Sequence, residues 1–363
     1  MQIGIVGLPN AGKSTLFNAL TRAGAVVASY PFTTIDPNVG VVAVPDPRLE
    51  QVAALIRPEK ITPATVKFVD IAGLVKGASQ GAGLGNQFLG HIRTVDAIAM
   101  VVRAFRDPDV PHVNPELDPL EDIETVDLEL VLADLDTVNR RLEKIRSQAK
   151  GKPKEFAAQL EFLQRLCDHL DAGKRAEILE RDDKERGWLD ELNLLTAKPR
   201  LYVVNVGEND LPDGGDLAKA ALAKAAAEGS EAVIICAACE AELSEWPEDE
   251  AQLYRQELGL SEPGLNQLIR AGYRLLRLIT FFTITGGREA RAWPIREGTT
   301  VWEAAGKIHT DMQRGFIRAE VISYADLLQA GALAHARERG LLRLEGRDYV
   351  VQDGDVIQIR FAV

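Results

Sequence analysis

The segment QIGIVGLPNAGKSTLFNAL, residues 2–20, decides the fold: a short apolar strand enters a glycine-punctuated turn, and a helix is expected from Lys13 onward. Within it, residues 7–14 match GxxxxGK[ST], and the flanking strand and helix are the context in which that pattern binds phosphate. Glycines let the backbone curl so that successive N–H groups face an anion at a helix N-terminus. Asn10, Ala11, Gly12, Lys13, Ser14 and Thr15 are therefore read as nucleotide-binding. Lys13 serves the β and γ phosphates and shares in catalysis, and Ser14 offers a hydroxyl to Mg2+.

Working outward, apolar strands are expected at 39–44, 66–69, 97–102, 201–205 and 232–236, alternating with helices such as the Ala-rich 216–227. That alternation predicts an α/β fold, a doubly wound and mostly parallel P-loop NTPase sheet with ligands at the strand C-termini. A polar stretch at 118–198 is patterned as helices and reads as an inserted helical arm. Leu128, Val131, Leu132, Leu135, Val138 and Leu142 form its expected apolar stripe, and Gly151-Lys152-Pro153 turns the chain into a returning helix at 155–170. After a helix at 264–277, ITFFTITGGREARAWPI reads as strand, turn and strand, VWEAAGKIHTDMQRGF as one helix, and YVVQDGDVIQIRF as two short strands around Asp353-Gly354. The expected organisation is a nucleotide-binding domain at 1–277, carrying the arm, and a small ubiquitin-like α+β domain at 278–363.

With 363 residues, 46% of them hydrophobic, the chain can bury a full core. Residues 1–7 lack a basic region followed by a long apolar core, and the apolar run at 275–284 is too short to span a bilayer, so a cytoplasmic address without membrane contact is expected. Cys167, Cys236 and Cys239 cannot form a disulfide framework, which suits a reducing compartment. Cys236-Ala-Ala-Cys239 has CxxC spacing, but two further zinc ligands are not suitably grouped, and it is read instead as a loop at the nucleotide base. A net charge of −12 argues against indiscriminate nucleic-acid binding. Two local runs differ: residues 139–154 hold seven basic residues against one acid, and 270–320 nine against five, either solvated helix faces or a local RNA or ribosome contact.

Asp70 ends the strand VKFVD, where a carboxylate would help hold Mg2+. Three residues on, Gly73 can offer its N–H to a γ-phosphate, and the glycine-rich run at 77–85 follows. Upstream, Pro31-Phe-Thr-Thr34 lies in a loop where Thr34 can complete the Mg2+ shell. Ser14, Thr34 and Asp70 are thus the expected metal residues, with Gly73 placed in catalysis. These elements suit a switch-type hydrolase, and the sequence has no acceptor-binding motif of a metabolic kinase.

GLPNAGKSTLFNAL, YPFTTIDPNVGVVAVPDPRL, FVDIAGLVKGASQGAGLGNQFL, EPGLNQLIRAGYRLL and AAGKIHTDMQRGFIRAEVI, in this order over nearly the whole chain, resemble the YchF or Obg-like ATPase family. The resemblance implies a G domain with an inserted helical arm, a C-terminal TGS domain, ribosome binding through the large subunit and ribosomal RNA, and hydrolysis of ATP in preference to GTP. It also implies a catalytic histidine in a mobile loop after the fourth G-domain strand, matching His112 in DPDVPHVNPELD. His91 is the competing candidate, although its expected helix favours packing. Asn10 resembles the asparagine that helps bind K+ in related hydrolases, which makes K+ a second cofactor candidate beside Mg2+.

Chemistry bears on the base as well. Guanine readers carry Asn-Lys-x-Asp, the Asp accepting from N1–H and the 2-amino group, whereas this chain reads Asn205-Val206-Gly207-Glu208. Asn205 keeps an amide able to serve adenine N6 and N7, the Val206 backbone can supplement it, and the loop at Cys236 and Ala237 lacks the lysine of guanine readers. A longer glutamate could still reach guanine after a loop shift. Leu74 stands where many switch GTPases place the glutamine that positions water, so hydrolysis must be organised differently. ATP and ADP are the expected ligands, with GTP and GDP the alternative. A ribosome-assembly GTPase and a nucleotide-gated RNA-binding module with negligible hydrolysis stay open beside the ATPase.

Overall fold

The computed structural model describes residues 1–24, 38–71, 83–112 and 116–362. Thr34, Gly73, Leu74 and most of the glycine-rich run lie outside them. The chain forms two units, one from Met1–Gly40 and Lys67–Leu268, the other from Val41–Val66 and Ile269–Val363.

Along the chain β1 (Gln2–Val6) is followed by β2 (Val39–Ala43), and a short β3 (Lys60–Thr62) precedes β4 (Thr65–Asp70), β5 (Ala97–Ala104), β6 (Arg200–Val206) and β7 (Glu231–Ile235). Apart from β3, these strands form one sheet in the order β2-β4-β1-β5-β6-β7. β1 pairs in parallel with β4 and β5, β5 with β6, and β6 with β7, as the alternating pattern predicts. Both β5 and β6 are buried along their whole length, which is why they read as unbroken runs rather than alternations: helices cover both faces of a parallel sheet. The C-terminal ends of β1, β4, β6 and β7 lead to residues 7, 71, 207 and 236, and the candidate site is built there.

The arm begins at the helix Pro119–Ala149, whose N-cap Asp118 accepts from the N–H groups of Leu120 and Glu121 while Pro119 occupies the first turn, where its missing N–H costs nothing. The helix Pro153–Asp171 returns beside it, and Asp183–Leu192 follows with a capping box between Asp182 and Glu185. The expected stripe is corrected at two positions. Val131, Val138 and Leu142 are buried, but Leu128 is 53% exposed and Leu132 38%. The reason is that the long helix serves two cores in turn. Ile123, Val126 and Leu130 join the sheet's core, whereas Val131, Val138, Leu142 and Ile145 meet Phe162, Leu163 and Leu166 of the returning helix, so the buried face rotates along the axis.

Asp134, fully buried, joins the arm to the segment that re-enters the sheet. Its carboxylate accepts from Leu195 N (2.9 Å), Thr196 N (2.7 Å) and the Thr196 hydroxyl (2.7 Å). Deep at the start of β6, Arg200 pairs with Asp127 and donates to the Tyr202 hydroxyl (3.0 Å), which in turn donates to Glu228 (2.7 Å). The buried guanidinium thus has an opposite charge beside it and a hydrogen-bonded chain beyond.

The second unit holds β8 (Leu278–Thr285), β9 (Glu289–Arg296), β10 (Phe316–Ser323), β11 (Arg343–Glu345) and β12 (Asp355–Phe361), with β3 added at its edge, in the order β11-β10-β12-β8-β9-β3. The hairpin β8–β9 is the expected one. Three features depart from the sequence reading. The single expected helix is two, Val301–Ile308 and Thr310–Arg314, broken at His309, whose extended backbone ends the first while its ring Nδ1 accepts from Asp311 N to cap the second. FIRAEVIS is the strand β10. Of the two strands expected around Asp353-Gly354, only β12 forms, with an isolated bridge from Val350 to Thr300 before it. Asp353 instead accepts from Thr280 N (2.9 Å) and pairs with Arg48 (2.7 Å), which also clasps Asp46.

Candidate active site

The turn after β1 is shaped by two glycines. A Cβ on Gly7 would collide with the Val101 carbonyl, and Gly12 lies at φ +94°, where a side chain would strike Asn205 Nδ2. Asn10 takes the left-handed conformation at φ 62°, which asparagine tolerates, and its amide donates to the Pro111 carbonyl (3.0 Å). Leu16 N donates to Gly12 O (2.9 Å), so the ladder of the helix Lys13–Gly24 begins there, and the N–H groups before it have no partner inside the helix.

Lys13 is 7% exposed and donates its ammonium to the Leu8 carbonyl (2.7 Å). Burial pushes its pKa down to about 8, opposed by the charge of Asp70. Asp70, at the end of β4, accepts from the Ser14 hydroxyl (3.5 Å), and burial raises its carboxyl above the usual range against the pull of Lys13 and Ser14. Ser14 and Asp70 thus bring two hard oxygen donors together beside an ammonium. That donor set fits Mg2+, which prefers oxygen and completes its shell with water and phosphate. Thr34 and Gly73, expected to join them, lie outside the described residues.

Asn205 connects the phosphate and base ends. It is buried at the end of β6, where Nδ2 donates to the Ala11 carbonyl (2.9 Å) and Oδ1 accepts from Ala237 N (3.0 Å). The amide therefore braces the P-loop against the helix Ala237–Leu243, leaving one N–H and one lone pair. Cys236 caps that helix, its sulfur accepting from Cys239 N (3.4 Å), and the Cys239 thiol donates to Cys236 Sγ (2.8 Å). This donation lowers the Cys236 pKa and raises that of Cys239.

These parts line one cavity of about 510 Å3, formed by the P-loop from Asn10 to Thr15 without Ala11, by Phe105 to Asp107 with Val110, by Asn205 to Glu208, and by Cys236 to Cys239 with Glu242. The size suits a nucleotide-scale ligand. Of the residues expected at the nucleotide, Asn10, Gly12, Lys13, Ser14, Thr15, Asn205, Val206, Glu208, Cys236 and Ala237 line it, whereas Ala11 contributes its carbonyl to the brace.

The expected histidine is held rather than loose. His112 shares a hydrogen bond with Asp122 Oδ2 (2.9 Å), and both side chains are buried. Residues 113–115 are outside the described set. His91 is exposed on its helix, so the packing role expected for it is corrected. His169 bonds the Arg175 carbonyl (2.9 Å), an arm contact.

Sequence reasoning missed Arg103, Asp122 and Tyr254. Arg103, 3% exposed, donates to the carbonyls of Val110 (2.7 Å), Phe105 (3.2 Å) and Asn10 (3.3 Å), tying the loop before His112 to the P-loop. Its signal was an arginine inside the apolar strand AIAMVVRA. Tyr254 donates its hydroxyl to Glu208, and nothing in the local sequence marks it.

Comparison with known proteins follows the same lines. A family described as "50S ribosome-binding GTPase" (MMR_HSR1) matches residues 2–133. YchF-GTPase_C, described as a protein of unknown function (DUF933), matches residues 278–362. The chain is 51% identical over 362 residues to a Bacillus subtilis protein named Ribosome-binding ATPase YchF, covering 99% of each. It is 44% identical over 369 residues to the Mycoplasma genitalium protein of that name, covering both fully. The solved structure of the Schizosaccharomyces pombe YchF GTPase matches with a TM-score of 0.89 at 35% identity, over 99% of this chain and 97% of that one.

Proposed function

The chain belongs to the YchF family, and from that membership and the geometry of the site we propose that it is a ribosome-associated nucleotide hydrolase converting ATP to ADP and phosphate in preference to GTP. In this reading it regulates translation or a stress response from the cytoplasm. The large subunit and its RNA are the proposed contact; in this reading residues 1–277 are a G domain and residues 278–363 a TGS domain. The observation that carries the enzymatic part is the Asn205 brace, which makes phosphate loop and base loop the two ends of a single cavity.

Each residue has a task in this mechanism. The P-loop N–H groups and Lys13 cradle the phosphates, and an ammonium already stripped of water gains more from phosphate charge than a solvated one. Ser14, Asp70 and Thr34 would hold Mg2+, which neutralises phosphate charge when bound. The Gly73 N–H is assigned to the γ-phosphate, which it would contact when nucleotide binds. His112 orients water or accepts its proton after leaving Asp122, the role Leu74 cannot fill. Asn10 is the residue that would assist K+.

At the base, Val206 lacks the lysine stem that guanine readers lay along the purine, and what remains of the Asn205 amide suits an adenine edge. Titration of the protein with ATP, GTP, ADP and GDP tests the reading. Adenine nucleotides are expected to bind several-fold tighter, and tenfold tighter guanine binding would replace the ATPase with a GTPase.

A further inference from the structure

Glu208 is the one carboxylate of the base loop at the position where guanine readers carry aspartate, so its direction bears on which purine fits. It begins the short 3-10 turn Glu208–Asp210 at the cavity wall. Its carboxylate is engaged by the Tyr254 hydroxyl, from the helix Glu248–Glu257, and the Tyr254 ring in turn lies against Trp246 with ring centroids 5.4 Å apart. The phenol is thus fixed by aromatic contact on one side and by the carboxylate on the other.

We propose that Tyr254 is a specificity-determining positioning residue, holding Glu208 away from the purine edge so that guanine finds no base-loop carboxylate to accept its two donors. The inference rests on the preference for ATP proposed above. Guanine presents two donors, N1–H and the 2-amino group, and is read by a carboxylate that accepts both. In this cavity Glu208 must first give up the Tyr254 hydroxyl, a charge-assisted bond, before it can turn to guanine. Adenine has the opposite need. Its N1 is an acceptor, which a free carboxylate would repel, so the same tether that penalises guanine shields adenine. The elongation from aspartate to glutamate alone would leave a flexible acid able to find guanine, and the tyrosine removes that freedom.

The test is Tyr254→Phe in the full chain, with ATP and GTP affinities measured side by side. Phe keeps the ring against Trp246 and deletes only the hydroxyl. GTP affinity should rise so that the ATP-to-GTP ratio falls about threefold to fivefold, the size expected for losing one exposed hydrogen bond to a charged group. Adding Glu208→Gln to Tyr254→Phe should cancel the gain, because an amide cannot accept both guanine donors. Should Phe fold poorly, Tyr254→Leu, which removes the hydroxyl together with the ring contact, still frees Glu208 and should move the ratio in the same direction. A ratio within twofold of wild type in a folded variant overturns the proposal, and so does an equal change for both nucleotides, which marks a structural role only. Wild-type preference for GTP would instead remove the ATP reading itself.

Discussion

At the scale of single residues, the phosphate end of the site was legible and the base end only half so. GxxxxGKS with its strand and helix marks the turn itself, because close backbone approach at Gly12 leaves no room for a side chain. Asn205 was legible as a residue of the site but not as its brace, since a buried amide between Ala11 and Ala237 depends on two loops distant in sequence. Asn205→Ala leaves the Ala11 carbonyl and the Ala237 N–H unpaired. It should cost about 2 kcal/mol of stability and weaken ATP and GTP binding together, as chemical denaturation and titration will read. A loss confined to ATP would contradict the bracing role. His112→Ala should slow single-turnover hydrolysis about a hundredfold or more with little change in ATP affinity, the pattern of a group used in the transition state. Equal hydrolysis rates would leave His112 only its bond to Asp122.

Among elements, helices and parallel strands were read where one periodicity runs unbroken, and were misread where a segment serves two surroundings. The helix Pro119–Ala149 changes its buried face midway, which moved Leu128 and Leu132 to the surface. His309 ends one helix and caps the next, a local backbone choice that the surrounding apolar spacing does not encode. Short β3 gave no signal, because its three residues gain their order only by pairing with β9. The arm's attachment yields a prediction at this scale. Asp134→Ala removes three hydrogen bonds and strands the buried N–H groups of Leu195 and Thr196, so it should destabilise the protein by about 3 kcal/mol. The denaturation midpoint will show it, and a change below about 0.5 kcal/mol would mean that the arm is held elsewhere.

For the whole molecule, a net charge of −12 means that any binding to ribosomal RNA must be local. The two basic runs now differ. On the arm, Arg140 pairs with Asp136 (2.7 Å) and Arg141 with Glu191 (2.9 Å), so part of that charge is already matched. Lys307, Arg314 and Arg318 of the second unit are exposed. Reversing these three charges should weaken ribosome co-sedimentation and lower the slope of log affinity against log salt by about one for each phosphate no longer neutralised, while ATP turnover without ribosomes stays unchanged. Reversal of Arg140, Arg141 and Lys144 should have the smaller effect. Pelleting like wild type across a salt series by both variants would place the ribosome-binding surface elsewhere. The central claim, that this cavity hydrolyses ATP through its P-loop, is tested most directly by Mg2+-dependent phosphate release from ATP and GTP, measured for wild type and for Lys13→Ala. Release faster from ATP than from GTP, and abolished in a Lys13→Ala protein that unfolds no earlier than wild type, is the predicted result; faster release from GTP, or hydrolysis that survives the loss of Lys13, would contradict it.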